Sequence, residues 1–265
     1  MNNFQTHTND GDSLFAIKEG KGEAVVFMHG FGLDHRMWRK QVEALKNNFT
    51  VINYDLRGFG ESPLPEEQIP YSHEEDYLNL LKRFELDRAH IVALSMGCRM
   101  AIRCALTCPK AVLSLTLLEP AVDGQTWSAA WLEEWNNMVS TAQNHDLKKA
   151  KELWMHHSLF SKANTHPDIV EELKIMIDSY SGWHLTHKDP AIVPKPPAMQ
   201  RLGQITMPTL VTVAEFEIPD FQETAHKLCS EIPLAQRLVV TGSGHMVNME
   251  SPGMVNEAIL NFLSK

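Results

Sequence analysis

Short apolar runs recur along the chain, and several of them do not alternate. SLFAI (13–17), AVVFM (24–28), FTVINY (49–54), HIVAL (90–94), VLSLTLL (112–118), TLVTVA (209–214) and QRLVVT (236–241) are rich in Val, Leu, Ile or Thr. A strand with one wet face alternates apolar and polar residues. A nearly continuous run instead marks a strand buried on both faces, as in a parallel sheet covered by helices. Helix-like stretches over 37–46, 72–84, 96–107, 220–230 and 252–264 fall between the runs, so the pattern predicts an α/β fold. The expected opening strands, Phe4–Thr8 and Leu14–Glu19, are joined by the turn NDGD, so the sheet should begin antiparallel.

The segment between Leu118 and Thr209 lacks strand character and reads as helical over 127–143, 146–158 and 167–181. It ends in the loop HKDPAIVPKPPAMQ and holds five of the six tryptophans: Trp127, Trp131, Trp135, Trp154 and Trp183. The expected organisation is a core domain over 1–120, an inserted helical cap over 121–204, and the rest of the core over 205–265. A length of 265 residues suits such a domain, and 43% hydrophobic residues can supply its core. The net charge of −9 disfavours nucleic acid as a partner, because phosphate binding wants a basic stripe. The polar N-terminus lacks a charged n-region followed by an apolar h-region, and no apolar run reaches membrane-spanning length. A cytoplasmic protein with no membrane partner is therefore expected. The four cysteines show no C-x-x-C spacing and are expected to be reduced thiols.

The chemistry centres on IVALSMGCRMAIRC (91–104), where an apolar run meets Ser95 and turns into a helix. A nucleophile elbow reads G-x-S-x-G; here Ala93 replaces the first glycine, while Gly97 keeps the second. By itself the pattern fits either an activated nucleophile or an ordinary serine at a strand–helix junction. FMHGFG (27–32) follows a buried strand and suits an oxyanion loop. In such sites one donor is the N–H after the nucleophile, here Met96, and the other comes from that loop, here Phe31. TGSGHMVNMESP (241–252) places His245 in a Gly-rich loop, where packing explains it poorly and a general base explains it well. TVAEFEIPDFQE (212–223) offers Glu215, Glu217 and Asp220 as the carboxylate that orients His245. Asp220, with Glu223 three residues on, suits a helix N-cap and capping box. Glu217, in the loop beyond the strand end, is the preferred acid.

Taken in order, HGFG, YDLRGFGES (54–62), ALSMG, the acid loop and GSGHM resemble the α/β-hydrolase superfamily over essentially the whole chain. YSGWH (180–184) and AEFEIPDF (214–221) resemble the branch around 3-oxoadipate enol-lactonases and small carboxylesterases. The resemblance implies a mostly parallel eight-stranded sheet flanked by helices, with a cap after strand six. It also implies the triad Ser95, Glu217 and His245. Three departures stand out: Ala93, Cys98 where a second glycine often follows, and Glu217 where the branch usually has Asp. In DLRGFGES, Arg57 is expected to pair locally.

The expected activity is cleavage of a carboxylic ester or lactone through an acyl-enzyme, with no cofactor and no metal. The partner is then a small-molecule ester or lactone, and the chain works as a monomer or homodimer. The alternatives are the same triad on a thioester or C–C bond, or a ligand-binding protein with little turnover. Trp127, Trp131, Trp135 and Met138 are spaced by 4, 4 and 3, one helical face. That face packs the cap on the body or roofs an apolar pocket, and Trp127, Trp131 and Trp154 are the expected substrate contacts. The pairs His184/His187 and His156/His157 lack the H-E-x-x-H or cysteine context of a metal site.

Overall fold

The computed structural model describes residues 14–264. Strands β1 (Ala16–Gly20) and β2 (Glu23–Met28) are followed by helix α1 (Arg39–Leu45) and β3 (Phe49–Tyr54). Next come α2 (His73–Arg83), β4 (Ala89–Leu94), α3 (Met96–Thr107) and β5 (Val112–Leu118). Four helices follow before the next strand: α4 (Ala129–Gln143), α5 (Leu147–Met155), α6 (Pro167–Ser179) and α7 (Trp183–Thr186). The chain then closes with β6 (Thr209–Ala214), α8 (Pro219–Glu231), β7 (Ala235–Val240), α9 (Val247–Glu250) and α10 (Pro252–Leu263).

The described strands form one seven-stranded sheet in the order β1-β3-β2-β4-β5-β6-β7. Only β1 runs antiparallel, against β3; the remaining pairings are parallel. The expected strand Phe4–Thr8, its NDGD turn and the eighth strand they would supply lie outside the described residues. β3, β4 and β6 are buried at every position, as their continuous apolar runs require, whereas β7 at the sheet edge has exposed residues. Every parallel strand points its C-terminal end to the same side of the sheet. The loops that leave Met28, Leu94, Leu118, Ala214 and Val240 therefore gather there.

Local chemistry starts and stops the helices. Ser72 accepts from the Glu75 amide (3.3 Å), acidic residues fill the first turn of α2, and Lys82 and Arg83 sit in its last. Arg57 reaches α2 and makes paired hydrogen bonds to Asp76, at 3.1 and 2.6 Å, while lying over the Tyr71 ring.

One capping expectation is corrected. Pro219 occupies the first position of α8 and Ile218 is the N-cap, so Asp220 lies inside the helix. Proline's fixed φ begins the helix earlier than the capping-box spacing suggests. The Asp220 carboxylate instead accepts from the amide (2.6 Å) and hydroxyl (2.9 Å) of Ser128. The Ser128 oxygen in turn accepts from the Trp131 amide and caps α4. One serine thus ties the start of α4 to α8. Ser128→Ala removes the cap and the hydroxyl bond to Asp220, keeps the amide bond, and is expected to lower stability by about 1–2 kcal/mol. Thermal unfolding of the variant beside wild type measures this.

Candidate active site

Ser95 sits at the end of β4 as the N-cap of α3, with φ 53° and ψ −114°. A positive φ is strained for a residue with a side chain, and persists only where surroundings enforce it. Here the Ser95 amide donates to Leu118 O (2.9 Å), and its carbonyl accepts from the Cys98 (3.0 Å) and Ala121 (3.3 Å) amides. The turn also needs a close approach between backbones. A Cβ at Gly97 would stand 2.7 Å from the Met28 carbonyl carbon and 2.8 Å from His29 O, so only glycine fits. Ala93 lies further back, in the buried strand, paired with Met28 and Leu117. The Cys98 thiol donates to Ala93 O (3.3 Å) and Leu118 O (3.5 Å), bracing the turn. Burial pushes that thiol well above its ordinary pKa, so it is an inert support rather than a nucleophile.

The loop after β2 lies against this turn. A Cβ at Gly30 would be 3.1 Å from Leu94 Cδ2 and 3.8 Å from Ser95 Cβ. Among the described residues, neither the Phe31 nor the Met96 amide donates a hydrogen bond. Two backbone N–H groups are thus left open beside Ser95, at a helix N-terminus whose partial positive charge favours an anion. His29 is structural: the two ring nitrogens engage Gly30 O (2.9 Å) and the Leu56 amide (3.0 Å), and burial lowers its pKa.

The loops after β6 and β7 bring Glu217 and His245 together. His245 Nδ1 lies 2.5 Å from Glu217 Oε2, and both residues are buried. The second Glu217 oxygen accepts from the Ile218 amide (2.7 Å). His245 Nε2 makes no hydrogen bond among the described residues, and its ring packs 4.6 Å from that of Phe221. Burial disfavours charge on both partners: it raises the Glu217 carboxyl and lowers the His245 imidazole. Asp220 is committed to Ser128, and Glu215 accepts from the Gly242 amide (2.8 Å).

Sequence reasoning missed Glu119. It closes the apolar run of β5, is fully buried and has φ 46°. Its carboxylate oxygens accept from the Thr212 hydroxyl (3.0 Å) and the Ala214 amide (2.9 Å), pinning the strand end from which the Glu217 loop leaves. Glu119 also lies against the Glu217 carboxyl, and burial pushes its own pKa well up. The signal was a lone glutamate at the end of an otherwise apolar strand.

A cavity of about 510 Å³ opens over the elbow. Phe31, Ser95, Met96, Trp127, Trp131 and Trp154 all line it, with Trp135 and Phe221. Trp127 stacks on Trp131 at 4.2 Å, and Trp131 on Trp135 at 6.2 Å, so the face read from the spacing is a ladder of indoles. Trp154 meets Phe31 edge-on at 5.5 Å, and its indole N–H is buried without an acceptor. His245 is not in the cavity wall, but its neighbour Phe221 is. His184 and His187 do not converge on one point: His184 stacks on Phe59, and His187 lies on Trp183. Among the described residues, Asp34, His35 and Asp55 form the group that does converge. Asp55 there is occupied by the His35 amide and ring and the Glu61 amide.

A family model described as alpha/beta hydrolase fold matches residues 23–150. Among curated proteins, 3-oxoadipate enol-lactonase 1 of Acinetobacter baylyi is 31% identical over 125 residues, 47% of this chain and 45% of that protein. The chain spans less than half the length of the first curated relatives it matches. A thermophilic esterase from Thermogutta terrifontis matches in structure with TM-score 0.80 at 27% identity, over 95% of this chain and 93% of that one. The enol-lactonase from Burkholderia xenovorans matches with TM-score 0.81 at 20% identity, over 95% and 96%, a likeness of fold.

Two substitutions test the packing of the site. Gly97→Ala forces the first turn of α3 away from β2 and is expected to destabilise by roughly 1–3 kcal/mol. Glu119→Ala leaves the Ala214 amide and the Thr212 hydroxyl without their acceptor, at about 1–3 kcal/mol. Denaturant unfolding measures both, and a wild-type midpoint in either variant would contradict the packing described.

Proposed function

We propose that this chain, a member of the α/β-hydrolase superfamily, cleaves a carboxylic ester or lactone with the triad Ser95, His245 and Glu217. Ser95 Oγ attacks the carbonyl carbon while His245 Nε2 takes its proton. Glu217, hydrogen-bonded at Nδ1, holds the imidazole in the tautomer that leaves Nε2 as the base. The amides of Phe31 and Met96 receive the oxyanion of the tetrahedral intermediate. Its collapse expels the alcohol, which takes the proton from His245, and leaves the acyl group on Ser95. Water, deprotonated by the same nitrogen, then attacks the acyl-enzyme and releases the acid. The indoles of Trp127, Trp131 and Trp154 give the substrate an apolar pocket.

The observation that carries this reading is the state of Ser95. It is a non-glycine residue held at φ 53° beside two amides without acceptors, in the wall of a cavity. A buried serine with a packing role has no use for that combination. A fluorophosphonate probe should label wild type and leave Ser95→Ala unlabelled; an unlabelled wild type overturns the proposal. A panel of esters, lactones and thioesters then separates the bond types. On the best ester, Glu217→Ala should lower kcat by about 10³–10⁴-fold, the range expected for a triad acid. Activity surviving in Glu217→Ala but lost in Asp220→Asn would move the acid to Asp220.

The pH dependence follows from burial. The base-competent form pairs a carboxylate with a neutral imidazole, a net negative charge in a desolvated site. Adding one proton neutralises the pair, so burial favours that uptake and moves it above the ~6.5 of a free imidazole. That added proton occupies the base, so kcat/KM should rise with pH, with its midpoint above ~6.5. A midpoint below that value would mean that the pair is better solvated than its burial implies.

A further inference from the structure

The cavity wall holds a charge that the triad does not use. Arg99 lies in the first turn of α3, four residues beyond Ser95, and both residues line the same cavity. Its side chain is half-buried in the cavity wall, its Nε is sealed from solvent without an acceptor, and it makes no ion pair among the described residues. Its one directional contact is with the Trp127 ring, 5.8 Å from Cζ to the centroid. The nearest carboxylate is already committed: Asp123 takes both of its hydrogen bonds, at 2.5 and 2.9 Å, from Arg103. The other ionisable groups in the wall do not compensate. His73 and His184 are held neutral by burial, with pKa values of about 3 and about 4. Asp189 is exposed and accepts from the Ala191 amide (3.0 Å).

An arginine cannot shed its proton to escape burial, and a partly desolvated guanidinium whose sealed Nε has no acceptor is unfavourable. Such a group is explained when the missing partner arrives with the ligand. The Arg103–Asp123 pair is neutral as a unit and Asp189 is on the exposed side of the wall, so the positive charge of Arg99 has no counter-ion bonded to it in the cavity. That matches a monoanion. We propose that Arg99 is an anion subsite that binds a carboxylate carried by the substrate, so that the preferred esters or lactones are monoanionic and have that carboxylate a few carbons from the reacting carbonyl. This deepens the ester and lactone reading and rests on it.

Equilibrium binding to Ser95→Ala protein tests the subsite without turnover, read by quenching of the cavity tryptophans. The monomethyl ester of glutaric acid is compared with neutral methyl pentanoate, which places the carboxylate on the acyl side. The acetate ester of γ-hydroxybutyrate is compared with neutral pentyl acetate, which places it on the alcohol side. At least one anionic ester should bind about tenfold more tightly than its neutral partner, as a charge-assisted hydrogen bond provides. Adding Arg99→Gln should abolish that preference, and Arg99→Lys should restore part of it. Which pair shows the preference identifies the side that carries the carboxylate. Equal binding within both pairs, or no saturable binding of either anion, overturns the subsite. So does a preference that survives Arg99→Gln. Fluorophosphonate labelling of wild type reports on the hydrolase chemistry separately, so either claim can fail alone.

Discussion

The site depends on how closely α3 passes over the end of β2. At Gly97 the helix backbone lies so near Met28 and His29 that no side chain fits between them. This one contact sets the height of the first turn of α3. It brings the Met96 amide level with the loop that carries Phe31 and turns Ser95 outward at a positive φ. The Leu118 carbonyl and the Cys98 and Ala121 amides hold the strained residue from the β5 side. The two open amides and the proposed nucleophile are therefore products of one packing event between a helix and two strand ends. Each strand supplies what its C-terminal loop must deliver, because the parallel pairing brings all those loops to one edge.

A second constraint concerns charge. The Glu217–His245 pair and Glu119 are buried and Arg99 is partly so, and each resolves its burial differently. Glu217 and His245 share a hydrogen bond. Glu119, whose pKa burial raises, accepts from the Ala214 amide and Thr212 hydroxyl. Arg99 can neither neutralise itself nor pair with Asp123, which Arg103 already engages. A fold that only needed to be stable would place an apolar residue at that position.

Much of this was readable before the structure. Continuous apolar runs located β3, β5 and β6 to the residue, because strands buried on both faces leave no polar interruption to blur their ends. The junction at Ser95 and the loop positions of Glu217 and His245 followed from the same signal. The 4, 4, 3 spacing from Trp127 placed its indoles on one face, though not whether that face met the body or a cavity. Misreadings arose where a residue's partner is distant in sequence. Asp220 has a capping-box spacing, yet its carboxylate turns to Ser128, 92 positions away. Glu119 and Arg99 look ordinary in a one-dimensional string. Their meaning lies in what surrounds them, which depends on the tertiary packing of strand ends and cap.

The residues from Glu217 to Phe221 have a consequence for how such a protein changes specificity. Within five positions this segment provides the partner of the imidazole, the tether to the first cap helix and the ring that supports His245. The helices between β5 and β6 and the loop that carries Glu217 are thus not separable modules. A graft that exchanged the cap as a cassette would cut the Ser128 bonds and leave a carboxylate unpartnered three residues from Glu217. Drift in cap sequence is filtered through the chemistry below it. Substitutions inside the indole ladder are freer to vary than those at its hinge with α8. New specificities should therefore arise by repainting the cavity wall rather than by moving its frame.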